Sequence, residues 1–415
     1  MSYPLRAVLY ENMSKDRIGR FMGQTRVVIT CNRIAEEAAD MRLNKEQAEI
    51  LLEQQSVQIS NGLAETSADG GALCFDKRYG IMFCAYMPGP RGGYGESRGR
   101  ISMSYFPASQ PTNIRFIEIA VGDNVYCHNI LGLGEGKVRV FYEKNSRADY
   151  DHDICFKDFD ALTGELGAEK LVYVRRSDGS RVPLHYSFLM AYLHEHGYSG
   201  QVYRDREQIL VGGCTYFRGE DGFAYGAAIS YVSQVVLFRS RDDMETVEFF
   251  AVCPYMAQYE FDYKILGEKI YALYRTDHDT DSIFYTISAD MGKTWIEPCA
   301  LKGSIQCRPK LIRLSDDRLL MSYNVLNNNT EYRPPIQQGR TAVHIRIGQD
   351  DDPYKNPLVA DLYSKYGIVN VSFEEILGDI YFAFSTSQLA LEYQNGNPMV
   401  RGKDAVRYVK LGYLA

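Results

Sequence analysis

One pattern recurs along the chain after residue 67, and it constrains the fold more than any other feature. A short strand with a polar or ionic residue near its start is followed, after a turn, by a second strand rich in aromatic and β-branched residues. A third strand ends in a polar turn, and a fourth follows. The first strands read GALCF at 71–75, VYCHNIL at 125–131, LHYSFLMAY at 184–192, YEFDYKIL at 259–266, QCRPKLIRL at 306–314 and VNVSFEEIL at 369–377. Their partners read GIMFCAY, KVRVFYE, ILVGGCTYF, KIYALYR, RLLMSYN and DIYFAFS. Turn signals such as Gly134-Glu135-Gly136 and Ser315-Asp316-Asp317 separate them. Four-stranded units repeating every ~50–75 residues predict an all-β fold, a β-propeller. Six blades are counted, with a seventh left open.

The last unit supplies three clear strands, ending in VRYVKLGYL, and LRAVLYE at 5–11 is the expected fourth. Closing the ring with strands from both termini removes exposed sheet edges. The whole chain, 1–415, is then one propeller domain. Helical spacing interrupts the pattern near 33–56, where Asn44 followed by Gln47 forms a capping-box signature. This insertion is expected to be a packing helix or lid, or else a contact between two copies of the chain.

Composition narrows the function. Lys+Arg 46 against Asp+Glu 53 gives a net charge of −7, which argues against a nucleic-acid binder with its usual basic face. With 45% hydrophobic and 24% charged residues the chain is not disordered. No apolar run reaches the ~18 residues of a membrane span. Tyr 32 and Phe 19 against Trp 1 suit half-buried pleated surfaces. Nine cysteines form no CxxC pair and no metal spacing. Cys74, Cys84 and Cys214 lie in apolar strands, and the N-terminal stretch lacks an apolar signal core, so free thiols and a cytoplasmic location are expected.

The most specific motif is Ser288-Ala289-Asp290-Met291-Gly292-Lys293-Thr294-Trp295. Its Ser, Asp and Thr can bond turn backbone, Gly can take positive φ, and Trp can pack between blades. It resembles the Asp-box, S-x-D-x-G-x-T-W, of sialidase-like propellers. A degenerate copy, Ser240-Arg241-Asp242-Asp243-Met244-Glu245-Thr246-Val247, lacks the Gly and the Trp. In that family the box lies on the outer rim, so its expected role is structural.

First strands line the central channel of a propeller, so polar residues at their starts are the site candidates. They are His128, Asn129, His185, Tyr186, Tyr259, Glu260, Asp262 and Arg308. Convergent ionisable groups in a cleft favour a site over a simple buried network. Asp123-x4-His128-Asn129, followed by GEGKVRVFYE and His152, resembles a pattern of BNR-repeat proteins that include ulvan lyases and rhamnose–glucuronate-cleaving propeller enzymes. That resemblance implies His128 and His152 as the paired histidines, Tyr186 as the tyrosine, and Arg204 or Arg206 as the arginine. It implies β-elimination beside a uronate: Arg binds the carboxylate, and Tyr or His moves the protons.

The sialidase proper is the rival resemblance. It implies three arginines around a substrate carboxylate, a Tyr/Glu pair and an acid/base Asp. Arg308 looks like one of the arginines and Glu260 like the glutamate. The arginine-isoleucine-proline motif is missing, and the sixth first strand offers no tyrosine. The expected substrate is therefore an acidic, uronate-containing oligosaccharide, cleaved in the leading reading by β-elimination and in the alternative by sialidase-like hydrolysis, with a non-catalytic glycan-binding propeller as the third reading. No metal and no cofactor are required. His194 and His196 read as an exposed turn pair, GQDDDPY at 348–354 as a solvated turn, and the Gly-rich 88–100 segment as a loop able to bring Arg91 or Arg98 to an anionic ligand.

Overall fold

The computed structural model describes residues 41–60, 66–90, 99–122, 125–145, 151–198, 214–229, 233–257, 260–276, 282–305, 307–325, 340–364, 367–386 and 405–414. These form six sheets, antiparallel but for one parallel outer strand, arranged as a six-bladed propeller. The first blade is built in order from Thr66–Asp76, Ile81–Pro90, Arg100–Pro107 and Arg115–Val121. The second runs from Val125–Gly134 through Lys137–Asn145 and His152–Asp160 to the short Lys170–Leu171. The fourth is Phe261–Leu266, Lys269–Arg275, Ile283–Ser288 and Cys299–Ala300, and the fifth is Lys310–Arg313, Leu319–Asn324, Ala342–Gly348 and Leu358–Tyr363.

The third blade departs from the expected register. Its strands are Phe217–Arg218, Ala224–Ala228, Ser233–Ser240 and Thr246–Ala257, with Tyr173–Arg175 added in parallel on the outer edge and Arg181–Pro183 beyond it. The segment 184–192, expected as an inner strand, is mostly helix: Tyr186–Glu195, α2 below, capped by His185. The reason is legible in retrospect. Tyr186, Leu189, Met190 and Leu193, its buried residues, recur at i, i+3, i+4 and i+7, the spacing of a helical stripe. Of ILVGGCTYF, residues 209–213 lie outside the described residues, and Phe217 belongs to the inner-edge strand Phe217–Arg218.

Among the described residues the core divides into six clusters, each filling the wedge between neighbouring blades. One joins the first and second blades through Phe83, Ile101, Val140 and Phe159. Another joins the second and third through Phe141, Phe156, Tyr216 and Phe238, and takes in the buried stripe of α2. The wedge that matters most for closure joins the sixth blade to the first: Ala383, Val406 and Tyr408 pack on Leu73, Met82 and Phe106. The ring is therefore closed by apolar burial as well as by hydrogen bonds.

The sixth blade is Val369–Ile376, Asp379–Ser385 and Val406–Gly412, and its outer strand is Val57–Gln58, with Val57 opposite Tyr408. An N-terminal segment does complete the last sheet, but from 57–58 rather than 5–11, which lies outside the described residues. Arg407 fixes it, donating from Nε to Ser56 Oγ and from Nη2 to the Ser56 carbonyl, each at 2.6 Å. Just before it stands α1, Lys45–Ile50, continued by Leu51–Gln55. The capping box is present in full: Gln47 N–H donates to Asn44 Oδ1 at 3.0 Å, and Asn44 N–H to Gln47 Oε1 at 3.1 Å. Ala48 and Leu52 bury themselves between the fifth and sixth blades, so the helical insertion is a packing element of this chain.

The S-x-D-x-G-x-T-W turn lies after the third strand of the fourth blade. Ser288 Oγ donates to Asp290 Oδ1 at 2.8 Å and accepts from Gly292 N–H at 2.7 Å, while Asp290 accepts from Thr294 N–H at 2.8 Å. Trp295 Nε1 donates to the Val252 carbonyl of the third blade at 3.1 Å. The degenerate copy keeps the scaffold: Met244 N–H donates to Ser240 Oγ at 2.9 Å and Thr246 N–H to Asp242 Oδ1 at 2.7 Å. Met244 carries the positive φ, 70°, that Gly292 has in the full motif at 87°. Both turns are structural, as expected. No described helix is long and apolar enough to cross a membrane.

Candidate functional site

Inner strands succeed one another around the axis in the order sixth, first, second, third, fourth, fifth and back to sixth. Asp262 is the hub of this wall. Fully buried, it accepts from Thr215 N–H and Thr215 Oγ1, both at 3.1 Å, and from Leu311 N–H at 2.9 Å. It also accepts from Tyr263 N–H at 3.1 Å and Lys264 Nζ at 3.4 Å. One carboxylate thus ties the inner strands of the third, fourth and fifth blades, and its lone pairs are used. Asp262 was expected to touch substrate; it is a staple instead. Asn129 acts the same way between the second and third blades. Its Nδ2 donates to the Cys214 carbonyl, and its Oδ1 accepts from Ile130 N–H at 2.9 Å and Tyr216 N–H at 3.4 Å.

His128, beside Asn129, is 2% exposed, and neither ring nitrogen makes a well-formed hydrogen bond. It packs so closely on Gly70 that a Cβ there would stand 3.0 Å from its Cε1. Burial, reinforced by Arg308 and Lys310, pulls its pKa down to about 3, with the backbone at Gly70 and Ala85 pulling weakly the other way. His128 is a neutral imidazole at physiological pH.

Lys310, on the fifth blade, donates to Thr215 Oγ1 at 2.7 Å. Burial lowers its pKa to about 8; Asp262 opposes this, and the positive charges of Arg308 and Lys264 assist it. Arg308, two residues before it, has a buried Nε with no partner. Among the described residues no carboxylate pairs with its guanidinium.

A second group stands at the same end of the strands. Arg275 Nη1 donates to Glu260 Oε2 at 3.3 Å, and the Arg275 N–H to the Glu260 carbonyl at 2.9 Å. Both side chains are about a tenth exposed, at 11% and 12%. Cys307 lies within electrostatic reach of Arg340, Glu260 and Arg275, and burial raises its thiol pKa. Arg340 precedes the third strand of the fifth blade and accepts Ile368 N–H on its carbonyl at 2.6 Å.

Arg275 and Arg340 are not at the starts of first strands, the positions weighed in the sequence, and so carry no signal there, whereas Lys310 opens the fifth inner strand beside the more conspicuous Arg308. Antiparallel pairing brings the end of each second strand, and the start of each third, to that same end of the blade. Arg275 closes KIYALYR and was visible on that rule. The sixth inner strand presents Asn370 at φ 49°.

The elimination quartet does not assemble on one wall. His152 lies on the third strand of the second blade, unexposed, with Nδ1 3.4 Å from Oε2 of the equally buried Glu143. Tyr186 belongs to α2 and packs in the wedge between the second and third blades, so it is not an inner-strand residue. His185 caps α2, its Nδ1 3.2 Å from Asp151 Oδ1 and 3.4 Å from the Phe188 N–H. Arg204, Arg206 and Tyr259 lie outside the described residues, as do Arg91, Arg98 and Asp123. His196 bonds the Tyr192 carbonyl at 2.8 Å on the surface of the chain. Among the described residues no group of three or more His, Cys, Asp or Glu side chains could hold a metal ion.

Comparison with solved structures identifies the fold class. The chain has the sialidase-like propeller fold. It is similar to the intramolecular trans-sialidase from Ruminococcus gnavus in complex with oseltamivir carboxylate, at TM-score 0.58 and 11% identity, covering 88% of this chain and 97% of that one. It is similar to a protein of unknown function from Dyadobacter fermentans, at TM-score 0.57 and 13% identity, covering 86% and 97%. It is similar to Trypanosoma rangeli sialidase in complex with sialic acid, at TM-score 0.53 and 11% identity, covering 86% of this chain and 57% of that one. The chain thus spans little over half of the trypanosomal chain it matches. No family model matches the sequence, and no curated protein does.

Proposed function

We propose that this propeller is a carbohydrate-active enzyme that cleaves a glycosidic bond in an acidic oligosaccharide, and that it does so by hydrolysis. The observation that carries the reading is the Glu260–Arg275 pair, with Arg340 close by at the axial end of the inner strands. A cationic rim of this kind binds a sugar carboxylate, since guanidinium matches carboxylate in charge and in two-point geometry. Glu260, oriented by Arg275, takes a proton from the attacking group. The sialidases that share the fold, named for action on an acidic sugar, support the same substrate class.

One observation favours elimination beside a uronate as a second reading. The His128 imidazole stands within electrostatic reach of Arg308, so a proton-carrying ring and a carboxylate-neutralising cation are neighbours. The products separate the two. Incubation with sialylated and uronate-containing oligosaccharides should release reducing sugar with no new double bond. Appearance of the unsaturated-uronate absorbance would assign elimination. Binding without turnover of either would leave a lectin-like propeller. Under hydrolysis, Glu260→Gln lowers kcat by ~10²–10⁴-fold, the usual weight of a general acid–base group; under elimination it leaves turnover nearly intact.

A further inference from the structure

We propose that Arg308, Lys310 and His128 form an oxyanion subsite on the inner wall, separate from the Glu260–Arg275 pair, that receives a sulfate, phosphate or second carboxylate group of the ligand. The position follows from the strands. Asn129, next to His128, holds the Cys214 carbonyl, and Lys310 reaches across from the fifth blade to Thr215, the next residue along. Arg308 precedes Lys310 by two positions, and both positive charges act on His128.

The argument is one of unfilled donors and unbalanced charge. Among the described residues His128, a neutral imidazole with one ring N–H to donate, has neither ring nitrogen hydrogen-bonded, Arg308 has a buried Nε without a partner, and Lys310 has one acceptor for three protons. Buried donors of this kind are nearly always satisfied in native proteins, so a cluster of them calls for an absent acceptor. Charge points the same way. Lys264, Lys310 and Arg308 are cationic, while Asp262, the carboxylate bonded to Lys264, already accepts six hydrogen bonds, the longest from Cys214 Sγ at 3.9 Å, and burial pushes Glu374, also within electrostatic reach of Lys264, up to about 8. Glu260 is taken by Arg275. A bound oxyanion supplies both the missing acceptors and the missing negative charge. No covalent step is involved.

This inference deepens the reading of the axial end as an acidic-carbohydrate site, and its test is independent of turnover. The full chain is titrated with sodium sulfate, sodium phosphate and sodium acetate against sodium chloride at matched ionic strength, with affinity read by calorimetry. Saturable binding above the chloride baseline is expected for at least one of them; sulfate or phosphate alone points to an ester, and acetate to a carboxylate. Arg308→Gln should weaken it about ten- to a hundredfold, the loss of one charge-assisted contact, and Glu260→Gln should leave it unchanged. As a readout that needs no variant, one of the seven histidines, assigned to His128, should shift its imidazole resonances on saturation. Binding no better than chloride, an unchanged affinity in Arg308→Gln, or unmoved His128 resonances would each overturn the subsite. Oxyanion binding without cleavage of any acidic oligosaccharide would instead overturn the catalytic reading alone.

Discussion

At the residue scale, charge on the inner wall divides into groups that are consumed by the fold and groups that are not. Asp262 is consumed. Its replacement by Asn removes the counter-charge of Lys264 and disturbs contacts to Thr215 and Leu311, so a loss of about 3–5 kcal/mol is expected in urea denaturation. His128 gives a pH signature. Its folded pKa of about 3 lies below the ordinary imidazole value of 6.5, so the unfolded chain binds the extra proton first. Its contribution to stability is whole above pH 6.5 and is lost as pH falls towards 3, with a slope of up to about 1.4 kcal/mol per pH unit. Denaturation curves at pH 7, 5 and 4 should therefore diverge from those of His128→Gln, the variant showing the flatter profile. Equal slopes would show that His128 is protonated in the folded chain. The inner-wall residues His128, Glu260 and Arg308 were legible because a polar residue in an apolar inner strand is conspicuous. What made Asp262 structural and Arg308 unpaired was not legible, since both depend on partners from other blades.

At the scale of single elements, local hydrogen bonding decided the outcome wherever the motif was strong. Gly292 illustrates this. At φ 87° its backbone suits glycine, and an added Cβ would meet the Ala251 Cβ at 2.3 Å. Gly292→Ala should cost about 1–3 kcal/mol through overpacking and backbone strain, read as a lower Tm with unchanged ligand affinity. A neutral effect would mean that the turn shifts freely and does not staple the third blade to the fourth. The capping box of α1 was readable because donor and acceptor lie three residues apart. The helix at Tyr186–Glu195 was misread for the opposite reason. Its aromatic content suits a strand, and only its i, i+3, i+4, i+7 stripe, matched to the wedge between two blades, makes it a helix.

At the scale of the whole molecule, the ring is held by wedge-shaped apolar contacts and a two-residue outer strand at the closure. Deleting residues 1–60 removes Val57–Gln58 together with Ser56, takes away the two bonds that Arg407 makes to Ser56 and bares the edge of Val406–Gly412. The truncated chain should show a lower Tm and self-association in sedimentation, the behaviour of an exposed edge. A monomer of unchanged Tm would show that the apolar wedge at Leu73 and Tyr408 closes the ring unaided. The sequence by itself determined the blade repeat, the stapled turns, the capped helix and the polar positions of the inner strands, because each depends on residues within hydrogen-bond reach along one chain segment. Only the tertiary structure decided which outer strand closes the ring, that 184–192 leaves the inner wall, that Asp262 is saturated, and that Arg275 and Lys310 join the axial group. Those outcomes depend on contacts between residues tens to hundreds of positions apart, and their energies have no trace in local periodicity.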